Sequence, residues 1–177
     1  MAETLKGMSL VVAREYSKVT LGAEKTQKLL EECGLAGKPI IVSRDYPNQL
    51  FFSLITLIGR EQGIDMFEIL LRGGRFFAAN YAPENYNSFY VINNTIGKAL
   101  NNFQRLFALA TEGREIGNYA AITTEWVDED TVRIRYDSPL QNTSYPRGLA
   151  EGLGDYYNRA LRLKELSEIE FSVRLRE

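Results

Sequence analysis

Histidine is absent from all 177 residues of this chain. Histidine is the side chain that titrates nearest to neutral pH and the commonest protein ligand of transition metals, so its absence removes the usual general base and the usual metal ligand together. Acid–base chemistry would fall to carboxylates, tyrosine or lysine, and no pattern of these residues indicates an active site. We therefore expect no catalytic residues, no metal site and no cofactor ligated through histidine.

Cysteine is nearly absent as well. The sole cysteine, Cys33, cannot form an internal disulfide, which favours a reducing compartment. The N-terminal residues MAETLKGMS contain no apolar stretch of the kind that a signal peptide needs. The longest uncharged apolar stretch, Leu50–Ile58, is far shorter than the ~20 residues that cross a bilayer. Together these features predict a cytoplasmic protein without a membrane span.

Clustered positive charge is also lacking. The formal net charge is −2, and the arginines of the last third are interleaved with acidic residues. A nucleic-acid partner is therefore not expected, because such binding requires a concentrated patch of Lys and Arg. A chain of this length can build a core without disulfides or metals. With no repeat, linker or break in composition, we expect a single domain over residues 1–177.

The first two-thirds of the chain shows the spacing of amphipathic helices. Residues 4–18 place Leu5, Met8, Val12 and Tyr16 on one stripe. The same spacing predicts further helices over residues 22–33, 47–62, 65–77 and 95–111. Residues 80–92, rich in Pro, Asn and Tyr, are expected to form a connection.

The last third changes to the alternating pattern of strands. Residues 122–126 and 132–136 are predicted to pair as a hairpin across the acidic turn Asp128-Glu129-Asp130. A helix is predicted from Pro146 to Leu163, followed by a final half-buried strand over residues 169–175. Helices first and an antiparallel sheet afterwards, with one helix inserted before the last strand, indicate an α+β fold.

Two stretches carry a resemblance to a known family. Gly7-Met8-Ser9-Leu10 opens a two-helix pattern that runs to Cys33-Gly34-Leu35. After the hairpin, Arg135-Tyr136-Asp137-Ser138 is followed by Gly148-Leu149-Ala150-Glu151-Gly152-Leu153-Gly154. In order and spacing the chain resembles the heme-nitric-oxide/oxygen-binding (H-NOX) domains and their relatives, which include four-vinyl-reductase-type sensor domains, trafficking-particle subunits and a myxobacterial paralogous family of unknown function. The resemblance spans nearly the whole chain and implies a non-catalytic sensory or regulatory module.

The resemblance also implies a heme site, of which two parts are replaced. The family's axial histidine corresponds to Phe107, and its Tyr-x-Ser-x-Arg clamp for the heme propionates is matched by Tyr136 and Ser138 but has Leu140 in place of arginine. Phenylalanine has no lone pair to give to iron, and leucine cannot neutralise a carboxylate. A member without heme or any other cofactor is therefore expected.

Without heme, the aromatic residues of this region either pack as core or line a smaller apolar pocket. Aromatic residues at helical spacing are more often core, whereas the trafficking-particle resemblance favours a pocket for a small hydrophobic ligand or acyl chain. The candidate pocket residues are Phe67, Leu70, Phe103, Phe107, Tyr136, Ser138 and Leu140. The main alternative is a structural or assembly subunit with a filled core, and an enzyme is the least favoured class.

Self-association is a further expectation. In the heme-binding relatives another strand follows the one that corresponds to Ile169–Arg176, whereas this sequence stops at Glu177. The unpaired edge of that strand would be a template for another chain. Charged residues such as Glu170 and Arg174 can blunt an edge, so a monomer stays open. We predict a homodimer through this strand, or a different protein partner in its place.

Overall fold

The structure, a computed structural model, describes residues 4–111, 121–137 and 142–175. The described elements, in chain order, are β1 (Thr4–Lys6), α1 (Gly7–Leu21), α2 (Ala23–Glu32), β2 (Asp45–Pro47), α3 (Asn48–Gln62), α4 (Met66–Phe76), a π-helical turn (Phe77–Tyr81), α5 (Ala82–Asn85), α6 (Asn87–Ile92), α7 (Ile96–Asn101), α8 (Phe103–Ala110), β3 (Ala121–Trp126), β4 (Thr131–Asp137), α9 (Ser144–Tyr156), β5 (Leu161–Ser167) and β6 (Glu170–Leu175). The α+β prediction is confirmed. None of the described helices is both long and apolar enough to cross a membrane.

Four strands form an antiparallel sheet in the order β3-β4-β6-β5. The predicted hairpin is confirmed, with Ile122 opposite Tyr136 and Trp126 opposite Val132. Strand β6 pairs with β4 on one side and with β5 on the other. The expectation of an unpaired edge on β6 is therefore wrong, because residues 161–167 form the closing hairpin themselves. The route to a homodimer through Glu170–Arg176 is lost with it, and self-association is left as an untested prediction.

The end of α9 explains why β5 escaped the sequence pattern. The predicted helix continues to Leu163, but α9 ends at Tyr156. Asn158 has a positive φ of 51°, a conformation that asparagine tolerates better than most residues. The amide of Arg159 then donates to the carbonyl of Gly154 at 2.9 Å, which closes the helix. Leu163 fits the helical stripe by spacing, yet it lies in strand β5.

Three further predictions need correction. Leu5 lies in strand β1, opposite Tyr46 of β2, and not in the first helix. The connection over residues 80–92 is helical in α5 and α6, because Pro83 occupies a first-turn position where it is tolerated. The helix over residues 95–111 is two helices that break at Asn102, whose side chain donates to Asn93 Oδ1 at 2.7 Å.

Helices α4 and α9 cross at backbone contact. A Cβ placed on Gly148 would lie 1.9 Å from the carbonyl oxygen of Leu71, and one on Gly152 would lie 2.4 Å from that of Arg75. These glycines therefore allow α9 to pack closely against α4 and the turn that follows it. This crossing fixes how the end of the sheet meets the helical part.

Two apolar clusters form the core. One joins the sheet to helices α6–α9 around side chains such as Phe103, Leu149 and Phe171. The other is formed by helices α1, α2, α3 and α4 around side chains such as Leu10 and Leu54. Both include partly buried contacts from Phe76 and Tyr145, so these two rings lie at the junction of the clusters. The candidate site is at this junction.

Candidate functional site

A partly open cavity of about 170 Å3 lies where the two clusters meet. Its walls come from β1, α1, α3, α4, the end of α8, the end of β4 and the start of α9. The lining residues are Leu5, Ser9, Val12, Ala13, Phe51, Phe52, Ile55, Ile69, Leu70, Gly73, Ala110, Thr111, Tyr136, Asn142 and Tyr145. The surface they present is almost wholly apolar, and none of these residues is charged.

Aromatic rings from two parts of the chain line this cavity. Phe51 and Phe52 contribute adjacent rings from α3, with centroids 5.6 Å apart in an edge-to-face contact. Tyr136 at the end of β4 and Tyr145 in the first turn of α9 contribute the other two. The backbone of Gly73 also lines the cavity and leaves open space beside it, since a Cβ on this residue would meet nothing within 4 Å. Flat apolar walls with a glycine gap suit a small ring-shaped ligand.

The polar groups of the cavity are neutral. Thr111 donates its hydroxyl to the carbonyl of Phe107 at 2.9 Å, and Asn142 accepts the amide of Ser144 at 2.8 Å. Burial raises the pKa of the Tyr145 phenol, and the nearby phenol of Tyr136 raises that pKa further. At neutral pH the Tyr145 hydroxyl is thus a protonated donor.

Two of the seven predicted pocket residues, Leu70 and Tyr136, line the cavity. Phe103 is fully buried in the sheet-side core, and Phe107 is 6% exposed. The ring of Phe107 contacts that of Tyr136 with centroids 5.3 Å apart, so Phe107 supports the cavity wall from behind. Neither phenylalanine is a lining residue. Phe107, which the resemblance is expected to place where the family has its axial histidine, is therefore packed.

Phe67 does not face this site. Its side chain is 41% exposed, whereas Ile69 and Leu70 of the same helix are buried. Phe67 lies two residues before Ile69, which places it about 200° around the helix from that side chain. Spacing alone put it on the inner stripe because Leu70 follows three residues later. The remaining two candidates, Ser138 and Leu140, lie outside the described residues.

The sequence missed most of the cavity. Phe51, Phe52 and Tyr145 are not among the predicted pocket residues. Two adjacent aromatic residues on a helix cannot both lie on its buried stripe, so such a pair is a sequence signal for Phe51 and Phe52. No local pattern distinguishes Tyr145, which gains its place from the crossing of α9 over α4.

Within the described part of the chain, the metal-binding and thiol groups form no competing site. Among the described residues, no group of three or more acidic or cysteine side chains could hold a metal ion. Cys33 is half-buried after the end of α2. Burial and the neighbouring carboxylate of Glu32 both raise the pKa of its thiol, which disfavours a reactive thiolate.

Comparison with known proteins identifies the family. The model of the Haem-NO-binding family matches residues 6–165. No curated protein matches the chain significantly. Among solved structures, an oxygen-binding H-NOX domain related to soluble guanylate cyclases, in its oxygen complex, superposes with a TM-score of 0.83 at 15% identity and covers 98% of this chain and 96% of its own.

Two structures from Shewanella are similar to the same degree. The H-NOX protein from S. oneidensis in the Fe(II)NO state has a TM-score of 0.81 at 14% identity, covering 98% of this chain and all of its own. An NMR structure of a variant H-NOX domain from Shewanella oneidensis in the Fe(II)CO state has a TM-score of 0.80 at 13% identity, covering 98% and 99%. Such low identities establish the fold, and the family match covers most of the sequence. This chain belongs to the Haem-NO-binding (H-NOX) family.

Proposed function

We propose that this chain is a sensory module of the H-NOX type that holds no heme and binds a small apolar ligand in the cavity between α1, α3, α4 and α9. It performs no catalysis and acts through a partner protein in the cytoplasm. The observation that carries the proposal is an apolar, uncharged cavity in a family member without a histidine.

The residues present do not fit a histidine-ligated heme. The chain offers no imidazole, and Phe107 is packed against Tyr136 at the position that corresponds to the axial ligand. The described lining residues include no cation that could neutralise two propionates. A cavity of about 170 Å3 is also below the roughly 300–1,000 Å3 of pockets for larger ligands. Each of these features supports a heme-free site.

Tyrosine can ligate heme iron in some proteins, and two tyrosines line this cavity. An iron-bound tyrosine is deprotonated, so the ease of losing its proton decides how good a ligand it is. Burial raises the pKa of Tyr145, which favours the neutral phenol. The ring of Tyr136 packs edge-on against Phe107, and the Tyr136 phenol raises the pKa of Tyr145 further. Ligation of heme iron by either tyrosine, in place of histidine, is therefore disfavoured.

The size of the cavity supports a small organic ligand. An engineered apolar protein cavity of about 150 Å3 remains dry and binds benzene. The cavity here is slightly larger and is partly open, so a single ring with one small substituent can reach it. Binding would bury apolar surface at roughly 25 cal/mol per Å2, the usual driving force for such sites.

Isopropylbenzene is a suitable first probe, with binding followed by titration calorimetry. We expect wild-type protein to bind it at one equivalent. A Gly73→Leu variant should lose this binding, because the new side chain extends into the cavity from a position with open space. The matched control is Gly97→Leu, which also meets nothing within 4 Å but is not a lining residue. Absence of binding in the wild type, or equal binding in both variants, would contradict the proposal.

An assembly subunit is the second candidate, and one surface favours it. Val91 and Ile92 of α6 are exposed, and the exposed ring of Tyr156 at the end of α9 packs on Tyr90 with centroids 4.4 Å apart. Contiguous exposed apolar groups are typical of protein-binding surfaces.

Sedimentation measurements test this second candidate. An assembly through this surface predicts that the wild type self-associates and that Ile92→Glu shifts it towards monomer, while Val19→Glu on exposed α1 surface does not. If all three proteins are monomers and the wild type binds isopropylbenzene, the assembly role is rejected and the ligand-binding function stands.

A further inference from the structure

The outer face of the four-stranded sheet carries a concentration of positive charge. Strand β4 exposes Arg133 and Arg135, β5 exposes Arg162 and Lys164, and β6 exposes Arg174. Their neighbours along each strand face the core, as the alternation of side chains requires. Cations that are interleaved with other residues in the sequence are therefore neighbours in space.

The acids of this face neutralise only part of that charge. Glu170 and Glu125 both form ion pairs with the same arginine, Arg133, at 3.1 Å and 3.9 Å. The third acid, Asp137, lies at the end of β4. Within the described ranges, four cations of this face form no ion pair with a carboxylate, namely Arg135, Arg162, Lys164 and Arg174.

Two of these cations lie directly opposite each other. Arg162 of β5 pairs in register with Arg174 of β6. Directly opposite residues have Cβ atoms about 4.5–5.5 Å apart, and like charges in such a pair are destabilising. Lys164 follows on the same face, two residues and about 7 Å along β5. Glu165 does not compensate this charge, because it pairs with Arg147 of α9 at 3.2 Å. A carboxylate supplied from outside the chain would relieve the repulsion.

The spacing of these cations fits an extended acidic segment. Alternate residues of an extended chain point the same way at about 7 Å intervals, which matches the separation of Arg162 and Lys164 along their strand. A nucleic-acid backbone fits less well, because the acidic turn at residues 128–130 borders the face. There the amide of Asp130 and, to a smaller extent, the guanidinium of Arg174 lower the pKa of Asp128. A continuous polyanion would meet this turn and be repelled.

We infer that the outer face of the sheet docks a short, extended, acidic segment of a partner protein. One carboxylate of the segment lies between Arg162 and Arg174, and the next but one along the segment pairs with Lys164. The inference rests on the proposed function, in which the module acts through a partner protein, and it names the surface and the chemistry of that partner. It is independent of the ligand, because none of these cations lines the cavity.

A blocked peptide of three Glu-Ser repeats is the probe, and a peptide of Gln-Ser repeats is its neutral control. Amide shifts in NMR spectra of isotope-labelled protein report both the site and the affinity. We expect the acidic peptide to shift amides of β4, β5 and β6 at low salt. The shifts should disappear in ~1 M NaCl, where the Debye length is about 3 Å.

Charge reversal at Lys164 tests the contact. Lys164→Glu should weaken binding of the acidic peptide about tenfold, because an attraction becomes a repulsion. Lys38→Glu makes the same change at an exposed position outside the sheet and should leave binding unchanged. Arg162→Glu should also weaken binding but raise Tm by about 1–4 °C, since it converts a like-charge pair with Arg174 into an opposite-charge pair.

Several results would overturn the inference. These are an absence of shifts with the acidic peptide, equal shifts with the Gln-Ser peptide, or equal effects of Lys164→Glu and Lys38→Glu. Tighter binding of oligothymidylate of equal charge, or of phosphatidylserine vesicles, at the same amides would assign the face to another class of partner and overturn it too. If Lys164→Glu fails to fold, Lys164→Gln and Lys38→Gln serve instead. Isopropylbenzene binding by the same samples tests the proposed function separately.

Discussion

Replacing Gly148 by alanine perturbs the structure at the crossing of α9 over α4. The added Cβ would lie 1.9 Å from the oxygen and 2.8 Å from the carbon of the Leu71 carbonyl, and 3.0 Å from the amide nitrogen of Arg75. All three are backbone atoms, so no rotamer change can relieve the contact. Ordinary C···O contacts are about 3.3 Å or longer. The helices must therefore separate by on the order of 1 Å along a tightly packed interface.

The expected cost follows from this geometry. Overpacking that moves backbone typically destabilises by ~1–3 kcal/mol, and a clash with backbone belongs at the upper end. The helix propensity of alanine over glycine offsets up to ~1 kcal/mol of this. We expect a net loss of about 2–3 kcal/mol. In a domain of this size each kcal/mol lowers Tm by roughly 2–4 °C, so Tm should fall by about 4–12 °C.

Thermal unfolding followed by circular dichroism, with urea titration for the free energy, measures this loss. Gly97→Ala is the matched control, since that glycine is also helical and a Cβ there meets nothing within 4 Å. It should leave Tm unchanged or raise it slightly. Equal melting of wild type and Gly148→Ala would refute the backbone contact between α4 and α9 as described.

Three further outcomes are expected. Phe171→Ala should destabilise by ~3–5 kcal/mol in urea titration, because Phe171 is fully buried in the central strand β6, and a loss below about 1 kcal/mol would contradict that placement. Asp65→Ala should cost about 0.5–2 kcal/mol because Asp65 accepts the amide of Glu68 at 2.9 Å, whereas Asp65→Asn should retain most of the cap; equal losses would argue against capping. Cys33 should react with iodoacetamide at pH 8 more slowly in the folded than in the urea-unfolded protein, since burial and Glu32 raise the thiol pKa and so reduce the thiolate fraction, and faster reaction of the folded protein would contradict this.

Much of the fold follows from the period of the apolar residues. The stripes of α1 and α3 contain buried Met8, Val12 and Leu54, as spacing predicts. The β3–β4 hairpin forms across the predicted turn, and its register is set because alternation over six residues leaves one face for the core. These elements were predictable because each buries one continuous face, and the spacing of the apolar residues on that face is visible in a short stretch of sequence.

The errors arise where local spacing is ambiguous. Leu163 satisfies both a helical stripe and a strand, and the left-handed φ of Asn158 decides between them. Leu5 is likewise placed by pairing with Tyr46, a residue far along the chain. Phe67 shows the same limit. Its spacing from Leu70 places it on the buried stripe, but it lies in the first turn of α4 with its side chain exposed.

The candidate site was predictable in part. Of the seven predicted residues, Leu70 and Tyr136 line the cavity. Phe51, Gly73 and Tyr145 were missed, since they meet only after α3, α4 and α9 pack. The absence of charge at the cavity is likewise a property of the assembled walls, and no single segment of sequence contains it.

A titration with hemin tests the central claim most directly. Purified protein is titrated with hemin, followed by absorbance in the ferric state and after reduction with dithionite and addition of carbon monoxide. The account predicts no sharp Soret band that saturates at one equivalent in either state, because the chain supplies no imidazole and the described cavity supplies no cation for the propionates. A stoichiometric complex with the spectrum of a defined axial ligand, tyrosinate included, would contradict it.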